Sequence, residues 1–202
     1  GWMRERRGDD AQVADGWSGV MTLPRLLSIA DDGTLHSAPA PENDLLRGDH
    51  ATASPADIAA DGTVSGIAGD ALEALATFTA SDGPVGLIVR RDPATGEQVT
   101  ITVDPATGEF ILDTSGSSTD AGTFGMRTVE RVAVRADEPI TLRVYVDRSI
   151  VEVFFNDRIA ISDRISPRSH DATGVAVIGA HALRSLDAWR MTSFLDESPK
   201  TV

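Results

Sequence analysis

LRVYVDRSIVEVFFNDRIAISDRISP, residues 142–167, is a run of two-residue alternations broken by polar turns. Leu142, Val144 and Val146 alternate with Arg143, Tyr145 and Asp147, the period of a strand buried on one face. Asp147-Arg148-Ser149 supplies turn chemistry, because short Asp and Ser side chains bond their own backbone. The alternation resumes with Val151, Val153 and Phe155 on one face and Ile150, Glu152 and Phe154 on the other. Asn156-Asp157 turns the chain again, Ile159 and Ile161 begin a third strand, and Pro167 stops it. Successive strands on short turns make a meander in an all-β domain.

The same reading extends in both directions. Leu72, Ala74, Ala76 and Phe78 alternate with Glu73, Leu75 and Thr77. Residues 86–91, 98–103 and 109–113 are compact apolar strands, and Asp-Pro-Ala-Thr-Gly precedes each of the last two, at 92–96 and 104–108. Proline presets one turn position and glycine tolerates positive φ, so this is one turn used twice. Residues 115–125 read as a polar loop, 129–135 alternate, and 174–179 and 186–191 are the last strands. No amphipathic stretch of helical period is long enough to matter. Short strands at intervals of roughly 8–12 residues predict an all-β sandwich or barrel.

Residues 1–47 form a different block. The charged stretch 4–15 reads as an exposed loop, and 20–29 as a strand that Pro24 confines to an edge or an irregularity. Asp31-Asp32-Gly33 turns the chain into a short return strand at 34–38, which Pro39 and Pro41 end. The block has too few apolar residues for a core of its own. Residues 48–66, rich in Ala, Asp, Gly and Ser, read as a linker or a loosely ordered entry strand; the linker is drawn at 48–58 and the sandwich is expected over 59–202.

Composition narrows the function classes. A net charge of −13 repels nucleic-acid phosphate and anionic membranes, so neither is an expected partner. The acidity favours a soluble chain, and the bias of 17 Arg to 1 Lys reads as genomic base composition. There is no cysteine, so disulfides and thiol chemistry are excluded, and the compartment stays open. His36, His50, His170 and His181 lie far apart, so no metal site is expected. Ser169-His170-Asp171 would point its side chains apart on an extended chain, and no G-x-S-x-G elbow accompanies it. Asp147, Glu152 and Asp157 read as turn and hairpin residues, with Glu152 paired to Arg143 or Arg148.

Motifs add a resemblance. Val146-Asp147-Arg148-Ser149, Val151-Glu152-Val153-Phe154 and Asn156-Asp157 resemble the hairpin in the C-terminal β-sandwich of glycoside hydrolase family 32, the invertases, levanases and inulinases. Gly1-Trp2-Met3, Gly16-Trp17-Ser18-Gly19 and Leu23-Pro24-Arg25 resemble the end of that family's catalytic propeller. Residues 41–47 resemble the segment leaving the propeller, and Leu186-Asp187-Ala188-Trp189 the closing strand. The resemblance runs through nearly the whole chain in the family's order. It implies an antiparallel β-sandwich of two packed sheets, jelly-roll or concanavalin-like, preceded in residues 1–47 by strands from the last blade of a five-bladed β-propeller, and that the chain begins inside a longer protein.

The resemblance also implies chemistry. The family hydrolyses fructosyl bonds with retention and without a cofactor. Its nucleophile motif, W-M-N-D-P-N-G, and its acid/base motif, E-C, do not occur, so no catalytic residue is expected in this chain and it should be inactive alone. Arg91-Asp92-Pro93 matches a propeller tripeptide but falls after the propeller segment, in the repeated turn. Trp2 is the candidate substrate-binding residue, where an indole face could stack on a sugar ring. Trp17 is expected in the core, and Arg25 is expected to hold a carbonyl or carboxylate. Expected partners are fructose-containing sugars and an N-terminal catalytic propeller portion, as a separate or cleaved chain or a symmetry mate. The sandwich would support the propeller, with oligomerisation or fructan binding as further roles. The alternative is a stand-alone, lectin-like sandwich without catalysis.

Overall fold

The structure, a computed structural model, describes residues 1–79, 81–135 and 138–193. Residues 194–202 of the expected sandwich lie outside the described residues. The first block holds β1 (Trp2–Met3), α1 (Asp9–Asp15), β2 (Val20–Met21), β3 (Arg25–Ile29), β4 (Leu35–Pro39) and a 3-10 turn at Pro41–Leu46. There follow β5 (Arg47–Ala53), β6 (Thr63–Ala68), β7 (Ala71–Phe78), β8 (Val85–Asp92), β9 (Glu97–Asp104), β10 (Glu109–Asp113) and β11 (Arg127–Arg131). The meander is β12 (Ile140–Asp147), β13 (Ile150–Phe155) and β14 (Ile159–Arg164), and the chain closes with β15 (Gly174–Ile178) and β16 (Leu183–Met191).

Two six-stranded antiparallel sheets form the sandwich, in the orders β11-β10-β9-β8-β15-β6 and β14-β13-β12-β7-β16-β5. Leu142, Val144 and Val146, with Val151, Val153 and Phe155, point inward and meet Leu87, Val99, Ile101, Phe110 and Leu112 of the other sheet in one core cluster. Gly86 marks a close approach of β8 and β9, since a Cβ there would fall 1.9 Å from the Ile101 carbonyl oxygen. The meander turns carry the strain that its polar residues tolerate: Arg148, Asn156 and Asp157 have φ of 49°, 47° and 50°. Asn156 also locks its turn, its side-chain oxygen accepting the Thr141 N–H at 2.6 Å.

Two expectations need correction. The stretch 48–58 is not simply a linker, because β5 runs through it as the edge strand on β16, with Ala51 opposite Ala188 and Ala53 opposite Leu186. Small residues there carry little strand propensity, and the pairing with β16 decides the conformation. The charged stretch 4–15 contains α1, whose first turn holds Asp9 and Asp10 and whose end is capped by Gly16 in the left-handed region. Acidic residues at a helix start and glycine just past its end are favourable, but seven residues are too few to reveal a period.

The first block does not build a core. Its strands form two separate pairs, β1-β2 and β3-β4. It lies against the outer face of the β14-side sheet, where the Ser37 N–H reaches the Arg158 carbonyl at 2.9 Å.

The docking face as candidate functional site

One row of outward-facing side chains crosses all six strands of that sheet. The register aligns His50 with Trp189, Trp189 with Glu73, Glu73 with Tyr145, Tyr145 with Glu152, and Glu152 with Ser162. A solvent-facing row would be exposed, yet Glu73, Tyr145 and Glu152 are all buried. Charged groups survive burial only when paired and hydrogen-bonded. The partners come largely from the first block.

Glu152 accepts the Leu23 N–H on Oε1 at 2.7 Å, and its Oε2 accepts the Ser162 hydroxyl at 3.1 Å and pairs with Arg25. Arg25 also lies 5.2 Å over the Phe154 ring. Arg25 therefore holds a carboxylate, as expected. The partner of Glu152 is a correction, because neither Arg143 nor Arg148 reaches it across the hairpin. Arg143 turns instead to Glu73 at 3.0 Å. Glu73 takes Arg47 as well, in a two-pronged pair at 2.7 and 2.6 Å. Arg47 stacks 4.1 Å over Trp189, whose ring lies 4.7 Å from that of His50. Burial, followed by the Glu73 charge, pushes the Tyr145 hydroxyl well above its ordinary range. The segment from Leu23 to Arg47 is thus clamped at both ends by two sandwich carboxylates.

A second cluster fixes the first residues. Arg6 reaches Asp163 at 2.8 Å, and Asp163 also accepts the Thr114 hydroxyl at 2.8 Å. Glu5 meets Arg7 at 2.7 Å and Arg164 at 3.4 Å. Burial alone would raise the Glu5 carboxyl, but hydrogen bonds from Arg7 and the Arg6 backbone, with the Arg164 and Arg7 charges, bring it down to about 2. Trp17 is not a core residue; it is 45% exposed, with Arg7 and Arg164 at 4.6 and 5.1 Å over its ring. Its cationic neighbours give it cation–π contacts in place of an apolar shell.

Trp2 is 70% exposed and its indole rests on Gly19, where a Cβ would fall 2.4 Å from the ring. The remaining site residues have structural work. Asp92 accepts the Ala94 N–H and the Thr95 hydroxyl inside its turn, and Asp104 does the same for Ala106. The Ser169 hydroxyl oxygen accepts the Asp171 N–H at 3.1 Å, a local turn contact that does not involve the His170 ring. Among the described residues, no group of three or more His, Asp or Glu could hold a metal.

Glu97 is the residue that sequence reasoning missed. Buried at the start of β9, it accepts N–H groups of Thr119, Arg168 and Ser169 and the Thr119 hydroxyl, at 2.7–3.0 Å. Burial acts to raise its pKa, and those backbone donors lower it further than burial raises it. The two loops it pins border a cleft of about 690 Å³ against the start of α1, lined by Arg7, Asp9, Asp120, Ser166 and Arg168.

The two-sheet arrangement, with its docked first block, matches known folds and families. The family model described as "Glycosyl hydrolases family 32 C terminal" matches residues 43–190. The chain belongs to this family. Over 181 residues it is 32% identical to "Raffinose invertase" of Escherichia coli, covering 89% of the chain and 36% of that protein. Over 183 residues it is 29% identical to "Levanase" of Bacillus subtilis (strain 168), covering 83% of the chain and 26% of that protein. This family 32 chain therefore spans only a quarter to a third or so of the curated relatives it matches. Among solved structures, fructan 1-exohydrolase IIa from Cichorium intybus superposes with a TM-score of 0.80 at 19% identity, over 95% of this chain and 44% of that one. Sucrose-6-phosphate hydrolase from Lactobacillus gasseri gives 0.74 at 20% identity, over 90% and 36%. At those identities the likeness is one of fold: the family 32 sandwich.

Proposed function

We propose that this chain is the sandwich portion of a β-fructosidase that hydrolyses fructosyl bonds of the sucrose, levan or inulin type with retention. Double displacement needs two carboxyls roughly 5–5.5 Å apart and facing one sugar. In this chain the docking-face carboxylates Glu73 and Glu152 are each occupied by arginines. Nucleophile and acid/base are therefore assigned to an N-terminal catalytic propeller portion, and this chain alone is inactive. Residues 1–47 are read as the last part of that propeller, and Trp2 as a sugar contact.

The observation that carries this reading is the β3-β4 hairpin. It is held to the sandwich by Arg25 and Ser37, yet β3 pairs only with β4 among the described residues. Leu26, Leu27, Ile29 and Leu35 of the hairpin are all more than half exposed. An open strand edge flanked by apolar side chains is a surface for another strand. A propeller blade supplies that strand.

The test is an assay of the 202-residue chain with sucrose, inulin and levan, read as fructose released. No release, together with no calorimetric heat of sugar binding to the sandwich, is the expected result. Hydrolysis by the pure chain would overturn the assignment of catalysis to the propeller, and tight binding without hydrolysis would replace it with a lectin.

A further inference from the structure

We infer that Glu152 is a positioning residue, which through the Leu23 amide and Arg25 sets the β1-β2 pair and with it the indole of Trp2. The inference rests on the proposal that Trp2 faces the sugar. A two-stranded pair is marginal by itself in water, so its place must come from what holds it. Among the described residues, β1 and β2 pair only with each other, Trp2 opposite Met21 and Met3 opposite Val20. Leu23, two residues beyond β2, donates its N–H to Glu152 at 2.7 Å. Thr22, between them, donates its N–H to the Gly1 carbonyl at 2.8 Å, so the contact passes directly to the residue before Trp2.

Glu152 suits this work better than an ion-pair partner at the surface would. It sits mid-strand in β13, paired with β12 on one side and β14 on the other, so its backbone is held from both sides. The Ser162 hydroxyl, one strand over, orients the carboxylate at 3.1 Å. One oxygen then takes the Leu23 N–H and the other takes Arg25, which fixes both the height and the direction of the chain leaving β2. At the far end, the Trp2 ring lies against Gly19, whose φ of +71° and missing Cβ allow the approach. The outer part of the ring is open, with Trp2 70% exposed. A sandwich residue thereby sets an aromatic platform that belongs to the propeller side.

Two measurements test the inference separately from the function it rests on. The first is hydrogen exchange in the 202-residue chain. Glu152→Gln is expected to speed exchange at residues 2–3 and 20–23 by about 10-fold or more, as loss of a charged hydrogen bond should, with β8 and β9 unchanged. Arg25→Lys, which keeps the charge, should remain close to the unmodified chain, and Arg25→Ala reports the same contact should Glu152→Gln not fold. Exchange that is unchanged at residues 2–3, or raised evenly over both sheets, would overturn the inference and leave the family reading intact. The second is kinetics of the chain assembled with its propeller portion. Glu152→Gln and Trp2→Ala should each raise KM about 10-fold with kcat kept, and the double variant should be no worse than either single one. A fall in kcat without a change in KM would contradict the positioning role. Absence of fructose release from the unmodified assembly would sink the proposed function alone.

Discussion

Glu73 has no exposed surface and receives three arginine nitrogens, two from Arg47 and one from Arg143. Removing it leaves two arginines facing a buried gap. Glu73→Ala should cost about 3 kcal/mol in chemical denaturation, the lower end for breaking a buried pair, because each arginine keeps about a fifth of its surface in water. Its neighbour Tyr145 offers a cleaner optical reading, since it is the only tyrosine in the chain. Tyrosinate absorbance should stay absent well past the ordinary pKa of about 10, and Glu73→Gln should bring it earlier. The neutral phenol contributes stability in full below about 10 and loses it as pH rises further. Little of this row was legible beforehand. The alternation placed Glu73, Tyr145 and Glu152 on outward faces, but their alignment depends on pairing of strands far apart in sequence. The partner of Glu152 was misread for the same reason: Arg25 lies 127 residues away, whereas Arg143 is local.

The strands of the meander and of the Asp-Pro-Ala-Thr-Gly hairpins were readable because bulky apolar residues alternate there without interruption. β5 and β6 were not, because Ala, Gly, Ser and Thr carry little apolar contrast, and only their neighbours β16 and β15 make them strands. Two substitutions probe the elements. Gly86→Ala would set a methyl 1.9 Å from the Ile101 carbonyl oxygen and force β8 from β9. It should lower stability by about 1–3 kcal/mol, seen as a lower denaturation midpoint. Glu97→Gln should cost a similar amount, about 1–3 kcal/mol, and raise amide exchange at Thr119, Arg168 and Ser169 in particular. An unchanged midpoint for Glu97→Gln would mean that the loops hold without the charge.

The molecule as a whole is a sandwich with a charged seam along one face. Acid should open that seam. Glu5 titrates at about 2 when folded against an ordinary 4.5, so its contribution, about 3 kcal/mol, is complete above about pH 4.5 and is lost as pH falls through about 2. Denaturation curves down this range should show the loss, and Glu5→Gln should remove that part of it. Beyond the seam, the β3 edge and its exposed leucines carry the central claim, that this chain completes a propeller lying outside it. The most direct measurement mixes the chain with a separately made catalytic propeller portion and follows both association and fructose release. The account predicts a one-to-one complex that cleaves sucrose or a fructan, and that Leu27→Asp prevents both. A chain that never associates with the propeller portion, or that releases fructose without it, would contradict the account.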